Sequence, residues 1–116
     1  MLFLCYPKCT TCQKAKAFLE ANGVTFTLRD IKQENPTREE LAQWHQTSGL
    51  PLKKFFNTSG LQYKALNLKE RLPDMSEEDQ LNLLASDGML VKRPILVGER
   101  FVLVGFRQGQ WEEQLL

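Results

Sequence analysis

The first thirty residues change from a short apolar run to a helical spacing of apolar positions. The run at residues 2–6 predicts a buried strand that ends at Pro7. The next apolar residues share one face of a helix: Ala15, Phe18, Leu19 and Ala21. We expect Thr10 or Thr11 to cap this helix and Asn22-Gly23 to end it.

A second strand is predicted directly after this helix. Residues 24–28 are rich in β-branched and aromatic side chains, which favour extended structure. Two strands joined through a helix are expected to lie parallel, with a right-handed crossover. The N-terminal part of the chain is therefore predicted to form a βαβ unit.

The middle of the chain has the pattern of helices. Thr37-Arg38-Glu39-Glu40 matches a capping box, and Leu41, Trp44 and His45 follow on one side of the expected helix. A short helix is predicted over residues 51–56, and a turn over residues 57–60. A further helix is expected to begin after Ser76 and to end at Asp87-Gly88.

The C-terminal part predicts a hairpin and a last helix. Strands are expected at residues 95–97 and 101–104, and a helix over residues 106–115. The predicted order is βαβ, then helices, then ββα. This order indicates an α/β, thioredoxin-like fold, a single domain over residues 1–116 with a helical insertion at about residues 36–88.

Length and charge narrow the classes of function. The chain has 116 residues and a formal net charge of +1, so nothing favours direct binding to nucleic acid or to an anionic membrane. Apolar runs are far shorter than the roughly 20 residues of a membrane span. The N-terminus lacks the features of a signal peptide, so a cytoplasmic location is expected. Cysteines in a reducing compartment seldom form permanent disulfides.

The candidate chemistry lies at Cys9-Thr10-Thr11-Cys12. A thiol just before a helix is favoured as the thiolate by the helix dipole, and Lys8 adds a positive charge nearby. Cys9 is therefore predicted to be the nucleophile, and Cys12 the thiol that resolves a mixed disulfide by attacking the Cys9 sulfur.

Two other interpretations of the cysteine pair stay open. Structural zinc needs four ligands, and only Cys5 and His45 remain as partners for the pair. The pair could also be two unreactive thiols at a helix end. Cys5 itself is expected to be a small buried side chain in the first strand, and His45 a structural side chain on a helix.

Lys92-Arg93-Pro94 leads into the predicted hairpin. In thioredoxin-like folds a cis proline at this place faces the thiol site, so Pro94 is expected to be cis. Arg93 would then lie near Cys9, where a guanidinium could stabilise the thiolate or bind an oxyanion with two hydrogen bonds. The alternative is a solvent-exposed arginine at the start of a strand.

Four segments, in order and over nearly the whole chain, resemble the family of ArsC-type arsenate reductases and Spx proteins. They are residues 6–15, 52–60, 87–94 and 104–106. The resemblance is closest to the short YusI-like and Spx-like members. In ArsC-type reductases a cysteine at the position of Cys9 attacks arsenate, and several arginines bind the oxyanion. Arg93 matches one of them, Asn57 occupies the central position, and Arg107 lies beside the third, around Gly105-Phe106.

The resemblance implies a thiol-disulfide oxidoreductase without a bound cofactor. Its substrate would be a small oxyanion or a protein or glutathione disulfide, with glutathione as co-substrate and glutaredoxin as partner. Spx-type regulators imply an alternative, a redox-switched protein that binds the C-terminal domain of the RNA polymerase α-subunit. This chain ends at Leu116 without the C-terminal extension of typical Spx proteins, which favours the oxidoreductase.

Overall fold

A computed structural model describes all residues 1–116 and contains four strands and six α-helices. The strands are β1 (Leu2–Cys5), β2 (Thr27–Asp30), β3 (Ile95–Val97) and β4 (Val102–Val104). The helices are α1 (Thr10–Ala21), α2 (Arg38–Ser48), α3 (Leu61–Ala65), α4 (Leu68–Arg71), α5 (Glu77–Ser86) and α6 (Gln108–Leu115). Short 3-10 turns cover Leu52–Phe55, Leu72–Asp74 and Gly88–Leu90.

The sheet has the strand order β2-β1-β3-β4. β1 and β2 pair in parallel through α1, as the βαβ pattern predicts, whereas β3 lies antiparallel to both β1 and β4. The α/β thioredoxin-like fold is therefore confirmed. Helices α2 to α5 stand between β2 and β3 in the chain, where the helical insertion was expected.

The two faces of the sheet bury different sets of side chains, because neighbouring residues of a strand point to opposite faces. On one face Phe3, Leu96 and Leu103 pack with α1 and Trp111 of α6, and Cys12 belongs to this cluster, the thiol-side core. On the other face Leu4 packs with the insertion. This insertion-side core also contains Leu41, Trp44, Phe55, Phe56, Leu68, Leu84 and Ile95.

Two local expectations were wrong. Cys9, and not Thr10 or Thr11, is the N-cap of α1, because the turn after Pro7 bonds the Cys9 amide to the Tyr6 carbonyl at 2.9 Å and the helix starts one residue earlier. β2 begins at Thr27 because its pairing with β1 starts there. The residues before it instead pack on the thiol-side core, with the Phe26 ring 5.3 Å from that of Phe3.

The short helices α3 and α4 were not predicted. Each spans only one turn or slightly more, which is too short for a helical period to stand out in a sequence. Tyr63 and Leu68 anchor them in the insertion-side core. Elsewhere the insertion follows its pattern: Thr37 and Glu40 form the capping box of α2, and Ser76 caps α5. None of the helices has the length and apolar character required to cross a membrane.

Candidate functional site: a thiol pair opening into a basic groove

Cys9 is held at the N-terminus of α1 by the turn that follows β1. It has extended backbone angles (φ −86°, ψ 122°), and its carbonyl accepts the first helical hydrogen bond, from the Gln13 amide at 3.1 Å. The Gln13 side chain donates to the Pro7 carbonyl at 3.0 Å and fastens the turn to the helix. An N-cap side chain points toward the unpaired amides of the first turn, so the sulfur lies where a negative charge is favoured.

The pKa of Cys9 is lowered below the ordinary thiol value of 9.0. Burial works against this shift, but the amide and side chain of Cys12, the amide of Thr11 and the guanidinium of Arg93 together outweigh it. The thiol makes no capping hydrogen bond of its own, so the amides act by favouring the thiolate. Cys9 is half-buried and open to the surface.

Cys12 lies one turn deeper and has the opposite character. Only 1% of its surface is exposed, and it packs in the thiol-side core. Burial, together with the neighbouring Cys9, raises the pKa of Cys12 to about 12, although the Tyr6 amide donates to its sulfur at 3.3 Å. The two thiols thus differ in both access and acidity: Cys9 is half-buried with a lowered pKa, and Cys12 is buried with a raised pKa.

Arg93 approaches the thiols from the turn before β3. The Arg93-Pro94 peptide bond is cis, as expected. The guanidinium lies 5.4 Å from the centre of the Tyr6 ring and donates to the Met89 carbonyl at 3.2 Å. Its hydrogen bonding to Cys9 is one of the causes of the lowered Cys9 pKa. The ring and the carbonyl fix the charge beside the sulfur.

Cys9 opens into a groove of about 1430 Å³ lined by 23 residues. Asn57, Arg93 and Arg107 all line it, so the structure brings three sequence-predicted positions into the same groove as Cys9. Gly105, with φ +75°, lets the chain turn after β4 and place Phe106 and Arg107 at the groove. We call this cavity the basic groove because six cationic side chains line it: Lys53, Lys54, Lys69, Lys92, Arg93 and Arg107.

The family model of the ArsC family matches residues 4–114 of this chain. This chain belongs to the ArsC family. It is 53% identical over 113 residues to the uncharacterized protein YusI of Bacillus subtilis (strain 168), covering 97% of this chain and 96% of YusI. It is 33% identical over 110 residues to the regulatory protein MgsR of the same strain, covering 95% and 86% of the two chains.

A solved ArsC-family structure is also similar. It is the crystal structure of "a possible arsenate reductase" from Streptococcus mutans UA159, with a TM-score of 0.90 and 45% sequence identity. The match covers 98% of this chain and 97% of that one. The proteins similar to this chain thus include one named as a regulator and one named as a possible arsenate reductase.

Other predicted residues of this ArsC-family chain lie apart from the groove. Lys8 is exposed and is absent from the groove lining and from the causes of the Cys9 pKa shift. Cys5 is buried in β1, as expected, and burial together with Asp30 raises its pKa. His45 lies in the insertion, 6.0 Å from the Phe55 ring and 3.6 Å from a Glu77 oxygen. The structure gathers no three His, Cys, Asp or Glu side chains in a metal-binding arrangement.

The lysines of the groove were missed as site residues. The sequence of residues 53–56 predicts that Lys53 and Lys54 form a solvated face, with Phe55 and Phe56 closing the core beneath them. Both rings are buried as predicted, and both lysines are exposed, but the 3-10 turn directs them to the basic groove. The mixed basic and aromatic run was the only signal for this, and it does not say which surface the lysines face.

Proposed function

We propose that this ArsC-family chain is a thiol-dependent oxidoreductase in which Cys9 is the nucleophile and Cys12 the resolving thiol. The contrast between the two thiols carries the proposal: a half-exposed Cys9 with a lowered pKa lies beside a buried Cys12 whose pKa is about 12. A thiolate at neutral pH is required for attack, and a protected thiol can wait for the mixed disulfide.

The reaction with a disulfide substrate balances as follows. The Cys9 thiolate forms a bond to one substrate sulfur, and the other sulfur leaves as a thiolate. Cys12 then loses its proton to water and attacks the Cys9 sulfur. The second substrate thiolate leaves, and Cys9 and Cys12 are joined by a disulfide. Two electrons have passed to the substrate, and an external thiol such as glutathione restores the two cysteines.

Arsenate is the oxyanion to test first, because the family resemblance concerns arsenate reductases. In the first step the Cys9 sulfur would bind arsenic as water leaves, and glutathione would then supply the second thiol. Arg93 and Arg107 line the same groove as Cys9, which supports binding of a doubly charged tetrahedral anion. Asn57 can add a hydrogen bond but no charge.

The experiment is arsenate-dependent oxidation of NADPH, coupled through glutathione reductase, glutathione and glutaredoxin. Hydroxyethyl disulfide replaces arsenate in a parallel reaction without glutaredoxin, from which the rate of the same mixture lacking the chain is subtracted. The Cys9→Ser variant is the control in both reactions. We expect turnover with at least one of the two substrates, and its loss in Cys9→Ser. Full turnover by Cys9→Ser, or none by the native chain with either substrate, would contradict the proposal.

A redox-switched regulator is the second candidate, favoured by the 33% identity to the regulatory protein MgsR. In that role a Cys9–Cys12 disulfide would change the affinity for the C-terminal domain of the RNA polymerase α-subunit. Capture of that domain by the reduced and the oxidised chain tests this, with Cys12→Ser as the variant that cannot switch. Absence of binding in both states would remove this candidate.

A further inference from the structure

Charge is unevenly distributed around the reactive thiol. The chain is nearly neutral overall, with 15 Lys and Arg against 14 Asp and Glu. Yet six of these basic residues line the basic groove, and none of the acidic ones does. The ion pairs of the structure involve Arg29, Arg38 and His45, so none of the six groove cations is neutralised by a carboxylate. A groove lined by one sign of charge attracts a partner of the opposite sign.

The groove is larger than a small oxyanion or a low-molecular-weight thiol requires. Its volume of about 1430 Å³ exceeds the ~300–1,000 Å³ of ordinary small-molecule sites. Its lining includes Cys9, the turn at residues 57–60 and Lys69 of α4. Leu61 lines its outer part with 85% of its surface exposed, an apolar contact without a partner in this chain. This volume leaves room for a segment of polypeptide.

We propose that the basic groove binds an acidic segment of a partner polypeptide and presents a disulfide of that segment to Cys9. The inference rests on the proposed function and names its substrate class. A nucleic acid would match the charge, but it offers no sulfur to the thiolate at the end of the groove. Acidic side chains next to a cysteine supply both the charge and the reacting atom, and an apolar neighbour can cover Leu61.

The chemistry is the exchange already described, with a protein sulfur as the reacting atom. The Cys9 sulfur bonds to one sulfur of the polypeptide disulfide, and the other leaves as a thiolate that takes a proton from water. Attack by Cys12 releases the second polypeptide thiol and oxidises the cysteine pair. A low-molecular-weight thiol returns the pair to the reduced state.

Matched peptides test the inference. Each carries one cysteine as a mixed disulfide with 2-thiopyridine, flanked by four Glu in one peptide and by four Gln in the other. The rate of thiopyridone release by the reduced full chain is measured at low and at high ionic strength. We expect the Glu peptide to react about tenfold faster at low salt, since electrostatic steering gives factors of 10 or more, and the ratio to approach one at high salt.

Two double variants test whether the lysines of the groove cause the faster reaction of the Glu peptide. Lys53→Glu with Lys54→Glu reverses two charges of the groove, and Lys14→Glu with Lys32→Glu makes the same change in net charge at exposed positions outside it. The Glu-to-Gln rate ratio should fall below about 2 in the groove variant and stay unchanged in the control. Equal rates for both peptides, or an equal loss in both variants, would overturn the inference.

Reaction with the uncharged 2,2′-dipyridyl disulfide distinguishes failure of this inference from failure of the proposed function. If the native chain consumes it through Cys9 but shows no preference for the Glu peptide, the acidic partner is wrong and the oxidoreductase stands. If Cys9 does not react even with this disulfide, the proposed function fails, and the inference fails with it.

Discussion

The two faces of the central sheet make different contributions to one site. The thiol-side core contains Cys12 and the other buried residues of α1, which lie close to Cys9 in the sequence. The insertion-side core supports the turn at residues 52–60 and the short helices that line the outer groove. The thiol-side core therefore determines the reactivity of the Cys9 sulfur, and the insertion-side core determines which molecules can reach that sulfur.

The largest expected effect concerns the thiol pair itself. Cys9→Ser should lower the rate of disulfide reduction at least about a thousandfold, because a hydroxyl is no nucleophile at neutral pH. Cys12→Ser should instead stop after the first step, and intact-mass measurement should find the substrate attached to Cys9. A Cys12→Ser chain that turns over at the native rate would show that the buried thiol has no resolving role.

The next prediction compares the two cores. Trp111 is fully buried in the thiol-side core, packs edge-on against Phe3 and Phe106, and donates to the Gly105 carbonyl at 3.1 Å. Trp111→Ala should lower the free energy of unfolding by about 3–5 kcal/mol, measured by denaturant titration. Phe55→Ala, in the insertion-side core, should cost a similar amount.

Alkylation of Cys12 in the native state then distinguishes these two variants. Trp111→Ala opens the core that covers Cys12, so this thiol should react faster, whereas Phe55→Ala should leave it protected. Cys12 that reacts equally fast in both variants would contradict this division of roles between the two faces of the sheet.

The Arg93→Ala variant tests whether the positive charge of Arg93 lowers the pKa of Cys9. In Arg93→Ala the pKa of Cys9 should rise toward 9.0, since one cause of its lowering is removed. A smaller thiolate fraction should slow alkylation at pH 7 by up to about tenfold, with the difference vanishing above pH 9.0. The control is Arg100→Ala, an exposed arginine outside the groove lining. An unchanged pH profile would mean that the helix amides alone lower the pKa.

The smallest effect concerns the ion pair that joins β2 to the insertion. Arg29 donates to both oxygens of Glu40 at 2.8 and 2.9 Å, and this pairing, against the cost of burial, holds the pKa of Glu40 below 4.5. A lowered folded-state pKa adds stability above the ordinary value, and this stability is lost as the pH falls through the folded-state pKa.

Glu40→Gln keeps a capping side chain but removes the charge. It should lower the free energy of unfolding by about 1 kcal/mol at neutral pH. At a pH well below 4.5 the loss should be smaller, because the carboxyl of the native chain is then protonated. The reactivity of Cys9 should not change. A loss of stability of the same size at both pH values would show that the pair contributes through hydrogen bonds and not through charge.

Sequence predicted the parts of the site that depend on local geometry. Cys9 and Cys12 lie within one helical turn, so their placement follows from the position of the helix start. The identity of the N-cap residue could not be predicted, because it depends on the hydrogen bond of the turn to the Tyr6 carbonyl. The lysines of the groove could not be predicted either. Lys53 and Lys92 come from distant segments and line one groove only because the insertion packs on the sheet.

The most direct test of the account is the thiolate absorbance of the reduced chain as a function of pH. The account predicts one thiolate that forms below pH 9.0 in the native chain and in Cys12→Ser, and that is missing in Cys9→Ser. The Cys12 thiol should remain protonated throughout, because its pKa is about 12. A thiolate that persists in Cys9→Ser, or none below pH 9.0 in the native chain, would contradict Cys9 as the activated nucleophile.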